Sequence, residues 1–137
     1  MIRTPIRRKL TPSIKELDDM ARTLVMLRAN AGLATDEGRN QWYGACQRCL
    51  RTGWLSWCHV FTRAARSVRW DEDNAWAWCR GCHRYMDQHW EQKRDWVIAK
   101  IGQERFDMLK LRSNGRRVDL AGMRVSLKQR LQQAGVA

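Results

Sequence analysis

Three side chains near the middle of the chain, His59, Asn74 and His83, have the types that phosphodiester hydrolysis needs. A neutral imidazole activates water, a second polar group holds that imidazole in orientation, and a divalent cation stabilises the leaving oxygen and the charge gathering on phosphorus. Around them, four of the five cysteines form two C-x2-C pairs, Cys46/Cys49 and Cys79/Cys82, with 29 residues between the pairs. Each pair belongs on a tight turn that points two thiolates at one ion, the spacing of a tetrahedral zinc site. Four thiolates leave no open position for a substrate, so this zinc is structural and contributes on the order of 10 kcal/mol to a small fold. A disulfide framework is the competing reading, and nothing marks the chain as secreted.

These residues need elements to position them. Apolar residues at Ile14, Leu17, Met20, Ala21, Leu24, Val25 and Leu27 predict a helix over 13–30, with Ser13 and Glu16 as a capping box. Residues 32–53 lack a sustained period and read as loop and turn. A short aromatic-rich strand is expected over 54–61 and a second through Trp70 or around 75–78, the two separated by a basic loop. One long helix is expected over 80–101, with Met86, Trp90, Val97 and Ile101 on one stripe and Gly102 closing it. A shorter helix over 103–111 and a last one over 119–133 complete an α+β chain of one domain, 1–137.

The charge is lopsided. The chain of 137 residues carries 26 Lys+Arg against 14 Asp+Glu, a net charge of +12, and the excess is mostly arginine, whose planar fork suits phosphate oxygens. Nucleic acid is the first partner this implies. By segment the net charge is +4 over 1–30, +4 over 31–70, −1 over 71–102 and +5 over 103–137, so a cation site is expected in or beside the third segment. Eight Trp supply bulk for a small core. No apolar run approaches the roughly 20 residues of a membrane span, and no signal-peptide pattern follows the basic N-terminus, so a cytoplasmic protein is the expectation.

The run Cys46-x2-Cys49, His59, Arg69-Trp70-Asp71-Glu72-Asp73-Asn74, Cys79-x2-Cys82-His83 resembles the zinc-stapled branch of the HNH, or His-Me finger, nucleases. The continuation from Lys93-Arg94 to Gly102-Gln103-Glu104-Arg105 looks more closely like the phage NinG/Rap recombination proteins. The resemblance implies a zinc-stapled ββα-metal core over 46–102, flanked by an N-terminal helix (13–31) and C-terminal helices (103–137). It makes His59 the general base, Asn74 the residue that orients it and His83 a ligand of a catalytic Mg2+ or Mn2+. Many such nucleases carry Asp or His just before the base as a second ligand. Here that residue is Cys58, a poor ligand for Mg2+, so the second ligand falls to Asp87, one helical turn from His83, or to Asp73 beside Asn74.

Arg63, Arg66 and Arg69, spaced every three residues beside His59, and Arg84 after His83 are the expected phosphate contacts. The implied activity is a metal-dependent DNA endonuclease acting on double-stranded or branched recombination DNA in the host cell of a phage or prophage. A homodimer would suit a symmetric junction. Two rivals stand beside it: a non-catalytic zinc-stapled DNA-binding protein, which Cys58 favours, and an RNA-binding or protein-interaction adaptor, which explains the charge but not the His, Asn, His spacing.

Overall fold

In the computed structural model, residues 11–115 and 117–136 are described. Helix α1 spans Ile14–Arg28, and the Ser13 hydroxyl caps it by accepting from the Glu16 N–H at 3.1 Å. Then come strands β1 (Gly32–Asp36), β2 (Arg39–Ala45) and β3 (Thr52–His59), a loop with two short 3-10 turns, and strand β4 (Ala75–Cys79). Four helices follow: α2 (Arg80–Gln88), α3 (Trp90–Ile101), α4 (Gln103–Ser113) and α5 (Leu120–Gln133). The α+β expectation holds, as one antiparallel sheet in the order β1-β2-β3-β4 with helices around it. Among the described residues no helix is long and apolar enough to cross a membrane.

Two expectations fail. Residues 32–53, read as loop, contain the whole β1–β2 hairpin and the start of β3. The hairpin turns through Glu37 and Gly38, both at positive φ (48° and 76°), the two-residue geometry that matches strand twist. The long helix expected over 80–101 is two helices, broken at His89 (φ −132°, ψ 78°). The His89 side chain causes the break locally. Its Nδ1–H donates to the Tyr85 carbonyl at 2.7 Å, taking the place of the helical N–H, while the His89 N–H reaches back only to Met86. The His89 ring also stacks on Tyr85, with centroids 4.1 Å apart.

The core is built from tryptophan on the sheet. In the β3–β4 ladder Cys58 faces Trp76 and Ser56 faces Trp78, so these four share one face, while Trp57 and His59 share the other. Trp76 and Trp78 both pack near-perpendicular to Trp96 from α3, at 4.9 and 5.4 Å between centroids. Leu17, Ala21 and Val25 of α1 join Leu127 of α5 in the same buried cluster. Trp78 is completely buried, so Trp78→Ala is expected to lower stability by about 3–5 kcal/mol. Urea unfolding should show a lower midpoint at an unchanged slope; a decrease under about 1 kcal/mol would remove Trp78 from the core.

Candidate functional site

The four-cysteine cluster is assembled by two turns. Cys46 and Cys49 lie on the turn between β2 and β3, where Leu50 takes φ +65° and its N–H bonds the Cys46 carbonyl at 2.9 Å. Cys79 ends β4 and Cys82 lies in the first turn of α2. Gln47 ties the two together: its N–H donates to the Ala77 carbonyl at 3.0 Å and its side-chain oxygen accepts from the Ala77 N–H at 2.8 Å. All four sulfurs lie within 4.8 Å of one another, and Cys49 Sγ and Cys79 Sγ are 3.8 Å apart. That is no disulfide distance, but it is the edge of a tetrahedron with ~2.3 Å metal–sulfur bonds.

The donors fit the ion chemically as well. Burial pushes the Cys46 thiol up, but the backbone N–H groups of Cys49, Cys79 and Arg48 outweigh it and bring it down to about 7. Burial and the neighbouring sulfurs push Cys82 up to about 12. Four thiols this close cannot all ionise unaided, and a divalent cation removes the conflict. These cysteines could hold one structural zinc.

His59, at the end of β3, lies in a cleft of about 660 Å³ between the strand end, the following loop and α2. The cleft is also lined by Trp57, Arg63, His83, Asp87 and Lys93. Nε2 of His59 is 3.0 Å from the Arg69 carbonyl oxygen, which can only accept, so the proton is on Nε2 and Nδ1 keeps its lone pair. Burial pushes the imidazole down to about 4, assisted by the charges of Arg63 and Arg69. His59 is therefore neutral at pH 7, and its indole neighbour Trp57 stands edge-on 4.2 Å away.

Asn74 acts one step removed. It is fully buried; its Oδ1 accepts from the Phe61 N–H at 2.7 Å, and its Nδ2 donates to the carbonyls of Phe61 and Val68 at 3.1 and 2.9 Å. It clamps both ends of the loop rather than touching His59, contrary to the expectation that it orients the imidazole directly. The Arg69 carbonyl does that, and Arg69 is itself fixed from α1. Its Nε and Nη2 donate to the two oxygens of Asp18 at 2.9 and 2.7 Å, and Trp70 Nε1 adds a bond of 2.9 Å. Burial raises the Asp18 carboxyl, but these donors more than offset it and hold the group below its ordinary value.

The remaining candidates divide. His83 and Asp87 come together on one face of α2, with His83 Nε2 3.0 Å from Asp87 Oδ2. That is the spacing of neighbouring ligand atoms on an octahedral ion with ~2.1 Å bonds. Asp73 does not join them. It lines a different pocket and is taken up by Arg105, with Arg112 3.8 Å away. Arg69 is spent on Asp18, so it is not a free phosphate contact as expected. Arg63, Arg66 and Arg84 are exposed, and Arg63 lies over the Trp57 ring at 5.2 Å, at the cleft. Cys58 is fully buried, its thiol donates to the Ser56 carbonyl at 3.2 Å, and burial pushes it up to about 12. It ligates nothing in the cleft.

Asp18 and Lys93 were missed in the sequence, though each left a signal. Asp18 interrupts the apolar stripe of Ile14, Leu17, Ala21 and Val25, and Lys93 falls between Trp90 and Val97 on another.

A model of the family described as bacteriophage lambda NinG protein matches residues 36–134. No curated protein and no solved structure matches the chain. The matched stretch includes every cysteine and the whole cleft, while Asp18 and α1 precede it.

The buried His59 has a pH signature. Its folded value of about 4 lies below the ordinary value of about 6.5, so the unfolded chain takes up the proton first. Its contribution to stability is complete above about pH 6.5 and falls as pH drops toward 4, by on the order of 3 kcal/mol. Imidazole resonances followed by NMR should show His59 titrating below pH 5, and His59→Gln should flatten that part of the stability profile; titration near 6.5 would contradict the burial.

Proposed function

Because the chain belongs to the bacteriophage lambda NinG family, we propose that it is a metal-dependent DNA endonuclease acting on branched or recombination-intermediate DNA. The observation that carries the reading is the pairing, in one cleft, of a neutral buried imidazole with its lone pair on Nδ1 and a His83–Asp87 pair at ligand spacing. In this reading β3, β4 and α2 form the ββα-metal core of the HNH nucleases.

His59 Nδ1 takes a proton from water as the water oxygen bonds to phosphorus; the P–O ester bond to the leaving sugar oxygen breaks, and that oxygen takes up a proton from solvent. The Arg69 carbonyl keeps the other nitrogen protonated, so the ring presents one acceptor in one direction. His83 and Asp87 would hold a Mg2+ or Mn2+ ion, which supplies neutralisation of the charge on the phosphate and leaving oxygens. Arg63 adds a guanidinium at the cleft wall. The exposed Arg66 and Arg84 contact flanking phosphates. A single ion with two protein ligands leaves room for water and phosphate in its remaining positions.

Nicking of plasmid and branched DNA with Mg2+, Mn2+ or no divalent ion tests the reading. His59→Ala should lose about 10²–10⁴-fold in rate with DNA binding retained. Cleavage equal to the parent would sink the assigned base, and the absence of cleavage in the parent with every metal would favour a zinc-stapled binding protein. Replacing Arg63 and Arg66 together should make the salt dependence of binding shallower by about 0.9 for each phosphate that is no longer neutralised. An unchanged slope would move the DNA surface elsewhere.

A further inference from the structure

Lys93 has no task in that scheme, yet it lines the same cleft. Its side chain is only 7% exposed, and its ammonium lies 2.9 Å from Asp87 Oδ1. A buried ammonium is costly unless it is paired, so this ion pair has to be supported by the surrounding structure. The support is the helix break. On a continuous helix, residues six apart point about 120° away from each other and lie roughly 9 Å apart along the axis, so Lys93 would not face Asp87. The turn at His89 brings α3 back so that it does.

The Asp87 carboxylate is thereby divided. Oδ1 is held by Lys93, and Oδ2 lies beside His83 Nε2 at 3.0 Å. Cys58, a buried thiol hydrogen-bonded to its own strand, contributes no ligand atom. Any ion at His83 then depends on α2 for its second ligand, and on α3 for that ligand's orientation. We infer that Lys93 is a positioning residue that fixes the Asp87 carboxylate for a divalent ion shared with His83. The inference rests on the proposed metal site but concerns a residue outside its ligand set. Partners of ligating carboxylates commonly govern metal affinity by about 10–100-fold.

The test is Mn2+ binding by the zinc-loaded full chain, followed by the EPR signal of free Mn2+, with no DNA present. Lys93→Met should weaken Mn2+ binding about tenfold or more, with zinc content and salt-dependent DNA binding unchanged. Lys93→Arg, which keeps the charge and a donor, should recover most of the affinity. Mn2+ bound equally or more tightly by Lys93→Met overturns the inference. The His83→Ala control separates the two levels: if it loses Mn2+ while Lys93→Met does not, only the role of Lys93 fails. If His83→Ala also binds like the parent, the metal site fails and the inference with it. Should Lys93→Met not fold, Lys93→Ala, which also removes the donor but admits water in its place, is read by the same titration against the same outcomes.

Discussion

Four sulfur atoms within 4.8 Å of one another impose the condition on which the position of everything in the cleft depends. Without a cation, thiolates this close would oppose one another; against its burial, backbone N–H groups bring Cys46 down to about 7, while burial first and the neighbouring sulfurs second push Cys82 up to about 12. With zinc among them, the β2–β3 turn and the start of α2 become one unit, further joined by Gln47 to β4. The direction in which α2 leaves the sheet is set there, and with it the places of His83 and Asp87, which lie one and five residues past the last sulfur. A zinc ion held there would fix the place of the cleft without taking part in its chemistry.

The opposite wall of the cleft is held by hydrogen bonds instead. Asn74 closes the loop, and Asp18 locks Arg69 and Trp70, whose backbone then orients His59. This alters the meaning of the positive charge. Arg28 donates to the carbonyls of Glu72 and Ala75, Arg105 and Arg112 engage Asp73 and Asp71, Arg124 pairs with Glu16, and Arg130 pairs with Glu72. Four of the twenty arginines, Arg28, Arg105, Arg112 and Arg130, bind helices to the 71–75 segment. The acids of that turn are correspondingly engaged, and of the segment's carboxylates it is Asp87 that lines the cleft with His59 and His83.

What could be read in advance follows from how local the signals are. The first helix was legible to within a residue or two because its stripe and cap are both local, and so was the cysteine cluster, whose spacing suits a single tetrahedral ion. The β1–β2 hairpin was not, since its turn is Glu37-Gly38 rather than a stronger pair and its strands alternate weakly, with Trp42 and Tyr43 adjacent. The break at His89 was hidden because the apolar stripe runs across it. His59, Asn74 and His83 stand out in the sequence by type, but their hydrogen-bond partners do not, because a carbonyl at Arg69 carries no side-chain signature. The two charges on apolar stripes, Asp18 and Lys93, were the readable clue to how those partners are held.

Helix α1 meets its partners late in synthesis. Asp18 contacts residues 51 and 52 positions further on, and Glu16 contacts Arg124 after 108 more have been made. During translation the earliest of the described helices leaves the ribosome with Leu17, Ala21 and Val25 uncovered and waits for nearly the whole chain before α5 closes over it. The helix whose Asp18 fixes Arg69 beside His59 is thus also the segment a nascent chain must shield longest.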